Sequence, residues 1–283
     1  MCLALAAGFL LASLLLAGCR PADKNAEPPL FRVMTYNIHH GAGLDGKLDL
    51  ARIAALIQQE KADIVALQEV DKGVRRTRGR DLPAELAALT GMTCVFSNNF
   101  YFQGGEYGNA LLTRFPARHW TNTHYAMLRT NEQRGLLQVT LEAHGRELLV
   151  LNTHLDVRQD DSERWSSIEQ VEEILSRYSA SRTNAGQLVN VLFCGDFNDV
   201  PSSRIYQRMG ETFDDVWKLA GQGEGFTIPV TNAARRIDYI WASKNSEMVP
   251  LQAWVPYSEA SDHLPIVAEI QFKRSSATST NAP

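Results

Sequence analysis

The 283-residue chain carries 28 Lys and Arg against 32 Asp and Glu, for a formal net charge of −4. That mildly acidic balance excludes a general electrostatic attraction to nucleic acid or to anionic membrane. Its four cysteines form no C-x-x-C pair or Cys/His cluster, which excludes a zinc-binding framework of the finger type.

Residues 1–19, MCLALAAGFLLASLLLAGC, are one uncharged apolar run, too short for a stable membrane span, and read as a signal peptide. The ending Leu16-Ala17-Gly18-Cys19 resembles the lipobox of bacterial lipoproteins. This implies cleavage before Cys19, a lipid on its sulfur, export, and attachment to a membrane. The positive segment that usually opens such signals is missing, and an ordinary secretory signal containing a cysteine is the alternative. Residues 20–30 are polar and Pro-rich, the composition of a flexible tether. Residues 274–283 have the composition of a disordered tail. One folded body, 31–273, is expected between them.

Within that body, Phe31–Asn37 alternates apolar residues as a first strand, and a Gly-rich segment containing His39 and His40 follows as a surface loop. Leu50, Ile53, Leu56 and Ile57 recur at helical spacing over 49–60. A core strand over 63–69 finishes at Glu69. The basic run Arg75, Arg76, Arg78 and Arg80 comes next, free to hold phosphates or paired with Asp71 and Asp81. A helix over 82–90 stops at Gly91, and 93–97 is a strand. Residues 98–105, with YFQGG, lie between strands, and the chain shows no exposed apolar hairpin that would favour a membrane-lipid phosphodiesterase. Strands are expected over 107–113, 118–127, 135–142 and 148–153, and an amphipathic helix over 160–178. The run 188–201, LVNVLFCGDFNDVP, is a buried strand that ends abruptly at Gly195. A short helix and strands over 236–241, 249–255 and 264–272 complete the chain. Cys94 and Cys194 are the two cysteines of the body, and Cys194 reads as a small buried hydrophobe.

The strands repeatedly finish in Asn, Asp, Glu or His: Asn37, Glu69, His154, Asp196 with Asn198, Asp238, and Asp262 with His263. Residues two apart at a strand end project to one side, so Asp196 and Asn198 can serve one water molecule; an Asx turn is the alternative. Such a set, without a nucleophilic Ser or Cys in a recognisable elbow, points to a single site that uses a metal and water. Because its members run from 37 to 263, that site needs both ends of one domain.

The segments MTYNIHHG, LQEVD, LNTHLD, CGDFND, RIDYIWAS and SDHLPI occur in the order found in the endonuclease/exonuclease/phosphatase (DNase I-like) superfamily, which the chain resembles from Phe31 to Lys273. The resemblance implies an α/β fold, a four-layer α/β/β/α sandwich of two packed, mixed, mostly antiparallel sheets. It implies that Asn37, Glu69 and Asp262 hold Mg²⁺ or Mn²⁺, and that Asp196 and Asn198 activate water. It also implies that His263, oriented by Asp238, and His154 face the phosphate. Glu106 is the candidate for a carboxylate backing His154, with Tyr107 or Asn109 as alternatives at the site. Arg76, Asn109 and Arg134 are candidate substrate contacts, while Asp156 reads as a strand-end hydrogen-bonding residue.

The function implied is a monomeric, divalent-metal-dependent hydrolase of phosphate esters. A surface-anchored nuclease is the first alternative and a catalytically silent binding module the second, the latter disfavoured because no core motif residue is missing. Nucleic acid is the less favoured partner, because duplex binding needs many cationic contacts. A small or locally anionic phosphate ester is expected instead.

Overall fold

The structure, a computed structural model, describes residues 28–182 and 190–274. The expected signal with Cys19, the tether to residue 27 and the tail from 275 lie outside them. Strand β1 (Leu30–Asn37) pairs in parallel with β2 (Ile64–Lys72), and α1 (Leu50–Gln59) makes the crossover between them. Asp49 starts α1 by accepting the Ala51 N–H (3.0 Å), and Leu50, Ile53, Leu56 and Ile57 form its buried face. Helix α2 (Leu82–Thr90) begins under Asp81, which accepts from Ala84 N–H, and ends at Gly91 with a left-handed φ of 66°. Strands β3 (Thr93–Phe102) and β4 (Gly105–Thr113) follow.

The second half runs β5 (Ala117–His124), β6 (Gly135–Ala143), β7 (Arg146–His154), α3 (Ser162–Arg182), β8 (Val191–Asp196), α4 (Arg204–Thr212), β9 (Phe213–Asp215), α5 (Val216–Ala220) and β10 (Asp238–Ser243). Strands β11 (Met248–Trp254) and β12 (Ile266–Phe272) return to the first sheet. The two sheets have the orders β11-β12-β1-β2-β4-β3 and β5-β6-β7-β8-β10-β9. Each has one parallel pair, β1 with β2 and β7 with β8, joined through a helix, and antiparallel neighbours elsewhere. The halves therefore repeat one plan.

Strands in a two-sheet, two-helix-layer sandwich are buried on both faces, which is why β1, β2 and β8 read as nearly continuous apolar runs. Val33, Ile64, Val150, Leu192 and Ile266 point between the sheets. Their neighbours Met34, Val65 and Val267 meet α1 and α2 on one outside. Leu149, Leu151 and Phe193 meet α3 and α4 on the other, through Ile168, Val171 and Ile205. The four layers are thus α/β/β/α. Cys194 lies in the inter-sheet core, whereas Cys94 packs on the outer face of the first sheet, and both are free thiols.

Several boundaries differ from the sequence expectation. Leu30 is already strand rather than tether, paired opposite Gln271. The segment 98–105 is a hairpin, turned at Gln103 and Gly104, whose positive φ values (46° and 87°) suit a two-residue turn. It carries Phe100 and Phe102 with Tyr101 78 % exposed, an aromatic edge where none was expected. Strand β2 does not stop at Glu69 but continues to Lys72 through a bulge, and β10 starts at Asp238 rather than 236.

Candidate active site

Parallel pairing of β7 with β8 sets His154 beside Asp196, and antiparallel pairing of β8 with β10 sets Asp238 on the other side of Asp196. Three polar side chains therefore lie in one row across three adjacent strands, which are about 4.8 Å apart in any sheet. The row requires a close backbone approach at Gly195, where a Cβ would lie 2.1 Å from the Thr153 carbonyl oxygen. The strand end is also an Asx turn, because Asp196 Oδ1 accepts the Asn198 N–H at 2.8 Å. The Asx turn leaves Asp196 Oδ2 facing the first sheet, where it accepts from Asn37.

The first sheet faces this row from across the sandwich. Asn37 ends β1, and its amide donates to Asp196 Oδ2 (3.0 Å) and to Glu69 Oε1 (3.1 Å), so one side chain ties both sheets. Glu69 has a φ of 59°, in the left-handed region that costs a non-glycine residue about 1–3 kcal/mol. This conformation sits at the β2 bulge, which turns the carboxylate into the cleft. Gln68 and Asn152 support the floor: Gln68 Nε2 donates to Asn152 Oδ1 (2.8 Å), and Asn152 Nδ2 donates to Leu67 and Ala110 carbonyls (both 2.9 Å). Ser261 Oγ donates to the Asn37 carbonyl (2.7 Å) and so fixes the loop that carries Asp262 and His263.

Glu69, Arg76, Arg134, His154, Asp196, Asn198, Asp262 and His263 line one cleft of about 490 Å³, with Asn37 and Asp238 buried beneath it. His263 Nδ1 is 2.9 Å from Asp238 Oδ2 and its Nε2 is 3.8 Å from Asp196. Burial works against a charged imidazole, but Asp238, then Asp196 and Asp262, outweigh it and hold His263 protonated well above the ordinary histidine range. Asp196 is pushed up by burial and by the facing Asp238 charge, against the pull of His263, Asn198 and Asn37. His154 is pushed far down by burial, with Arg134 and His263 acting in the same direction.

Two sequence candidates lie elsewhere. Glu106 does not back His154: it pairs with Lys72 at 3.5 Å on the neighbouring strand, and Arg134 Nη1 occupies the position behind His154 Nδ1 at 2.9 Å. Asn109 is 1 % exposed and points between the sheets, donating to Gly135 and Asn152 carbonyls. Arg76 reaches the cleft, but two of its N–H groups are committed to buried Asp71 (2.8 and 2.9 Å), and its plane lies over the rings of Phe102 and Tyr107. Arg80 pairs with Glu85 rather than Asp81. His39 and His40 hold left-handed φ values of 44° and 45° beside Asp262, not an open loop. Asp156 accepts from Asn131 and from Arg158 N–H at its strand end. Arg235 was missed by sequence reasoning although it lines the cleft; among the described residues it has no ion-pair partner. Its only signal was the doubled arginine before Ile237.

The donor set fits a metal ion. Polar atoms of Asp196, Asp238 and His263 lie within 4.8 Å of one another and Asp238 Oδ1 is buried with no hydrogen-bond partner, but His263, held protonated by these carboxylates, has no lone pair to give, so the ligands are carboxylate and amide oxygens. Glu69 and Asp262 add hard oxygen atoms to the same cleft.

The chain is 26 % identical over 257 residues to YbhP, an uncharacterized protein of Escherichia coli (strain K12), covering 86 % of this chain and 96 % of that one. Among solved structures it resembles the mannosyl-6-phosphatase of Bacteroides thetaiotaomicron (TM-score 0.71, 17 % identity, 86 % of this chain and all of that one). It also resembles the human Nocturnin catalytic domain with bound sulfate (TM-score 0.66, 23 % identity, 87 % and 94 %). The family model described as "Endonuclease/Exonuclease/phosphatase family" matches residues 34–263. With that match spanning both sheets and every part of the cleft, the chain belongs to the endonuclease/exonuclease/phosphatase family, whose members hydrolyse phosphate esters.

Proposed function

We propose that this protein is a divalent-metal-dependent phosphoesterase acting on a small, anionic phosphate ester. The observation that carries this is the convergence of Asn37, Glu69, His154, Asp196, Asn198, Asp238, Asp262 and His263 on one cleft from both sheets. Asn37, Glu69 and Asp262 would hold Mg²⁺ or Mn²⁺, since these ions take oxygen ligands. When bound there, the ion would supply charge neutralisation at the phosphoryl oxygens. Asp196, with its raised affinity for a proton, takes one from the attacking water, which Asn198 orients without adding negative charge. Water oxygen then bonds to phosphorus and the ester P–O bond breaks. The departing oxygen receives the proton of His263, which Asp238 keeps charged and aimed.

A small substrate follows from charge. The body is net acidic, and two of the four arginines of the basic run are committed, Arg76 to Asp71 and Arg80 to Glu85. Arg235 remains at the cleft without an ion-pair partner among the described residues, enough for one anionic group and too few to track a duplex. The fold neighbour named for a sugar phosphate and the one holding sulfate support this reading. The test is hydrolysis of a panel of phosphomonoesters, phosphodiesters and duplex DNA with Mg²⁺ or Mn²⁺ across a salt series. Good turnover of a small ester with nearly salt-independent kcat/KM is expected. Efficient duplex cleavage with a steep salt slope would reverse the assignment.

We infer that Cys19 carries a lipid that tethers the enzyme to a membrane, an inference supported by the LAGC motif and the polar stretch behind it. Cys19→Ala should move the protein from the membrane to the soluble fraction while leaving kcat unchanged. An unaltered fractionation would exclude the anchor.

A further inference from the structure

We propose that Arg134 is a positioning residue that locks His154 into the tautomer with its proton on Nε2, making it a neutral hydrogen-bond donor in the cleft. Arg134 Nη1 lies 2.9 Å from His154 Nδ1. A guanidinium has N–H donors and no acceptor, so Nδ1 must present its lone pair and the ring proton must sit on Nε2. Nε2 is the nitrogen on the Asp196 side, 3.6 Å from Oδ2. Arg134 is itself fixed: its side chain is 9 % exposed and 2.7 Å from Glu132 Oε1, and its carbonyl accepts from Tyr125 N–H and Gln133 Nε2. A carboxylate behind the ring would do the reverse, drawing a proton onto Nδ1, as Asp238 does to His263 in the same cleft. Two histidines on one site therefore receive opposite states from opposite partners.

The consequence for chemistry rests on the phosphoesterase reading; the tautomer does not. With Nδ1 engaged by a cation, His154 neither takes a proton there nor carries a second one to give. It can hold a phosphoryl oxygen through Nε2–H, a donor strengthened by the arginine charge behind it. Proton delivery to the leaving oxygen then falls to His263 alone.

The test reads the tautomer first. Long-range ¹H–¹⁵N correlation spectra of the full chain, with His154 assigned by its disappearance in His154→Gln, should show a protonated Nε2 and a bare Nδ1. In Arg134→Gln, whose amide can accept, the pattern should shift toward protonated Nδ1. A wild-type ring protonated on Nδ1, alone or together with Nε2, overturns the proposal, as does an unchanged pattern in Arg134→Gln. Should that variant fail to fold, the wild-type spectrum still decides. On an ester found in the substrate panel, Arg134→Gln should lower kcat by about 10–100-fold, the usual cost of losing an outer supporting contact, with KM little changed. A loss confined to KM would instead make Arg134 a direct substrate contact and overturn the positioning role. Failure to find any substrate would count against the phosphoesterase reading and leave the spectrum standing.

Discussion

Replacing Asp196 by Ala is expected to lower phosphoester turnover by about 10²–10⁴-fold, the range that a positioned acid/base group contributes. The expectation follows from how much converges on that carboxylate: the Asn37 amide, the Asn198 N–H, and the Nε2 atoms of His154 and His263 at 3.6 and 3.8 Å. His263→Ala should fall in the same range. Because both serve the same displacement, one at the attacking water and the other at the departing oxygen, the double variant should lose little more than either single one, not the product of the two. Excess chelator should abolish turnover in the wild type, and added Mg²⁺ or Mn²⁺ should restore it. Steady-state kinetics with melting curves for each variant separates lost chemistry from lost fold. Full activity of Asp196→Ala, or in excess chelator, would refute the assignment.

The largest effect on stability is expected away from the cleft, at Asp215. This residue is 4 % exposed and satisfies four donors: the N–H of Trp217 at the start of α5, the Tyr206 hydroxyl (2.7 Å), and both terminal nitrogens of Arg236 (3.0 and 2.8 Å). Asp215→Ala leaves the 5 %-exposed Arg236 charge buried without its partner, a change that costs about 3–5 kcal/mol. For a domain of this size that lowers Tm by on the order of 10 °C. Arg236 lies two residues before Asp238 and its carbonyl accepts from the Tyr239 hydroxyl, so the strand carrying Asp238 should loosen as well. Removing both charges together, as Asp215→Leu with Arg236→Met, should cost much less than Asp215→Ala alone. Thermal or urea unfolding measures this, and a fall in Tm of only a degree or two would contradict it.

The parts of the fold that the sequence revealed are those whose burial repeats along the chain. Strands β1, β2 and β8 are apolar on both faces, and α1 shows its stripe through Leu50, Ile53, Leu56 and Ile57. The three-residue strand β9 and the five-residue helix α5 are too short to display a period. The extension of β3 past Ser97 was hidden because its Asn and aromatic residues pair at an edge rather than fill a core. At the site, residues that finish strands were legible because register alone places them in a row. What was not legible is which long side chain reaches across. Glu106 and Arg134 are both charged residues near the edge of a strand, and nothing local says that the second meets His154 while the first turns to Lys72. The bulge at Glu69 was likewise invisible, since a left-handed φ at Glu has no composition to mark it.

The place of β12 has a consequence for when the cleft is completed. This strand comes after every other one in the chain, yet it is inserted between β11 and β1, pairing Thr35 with Ile266 and Leu30 with Gln271. Asp262 and His263 reach the cleft only on the loop leading into it. A growing chain that has made β1 to β10 therefore carries Asp196 but neither His263 nor Asp262. The cleft stays incomplete until residues up to about 272 have emerged and closed the first sheet. Connectivity alone thus makes completion of the cleft one of the last events in the folding of a growing chain.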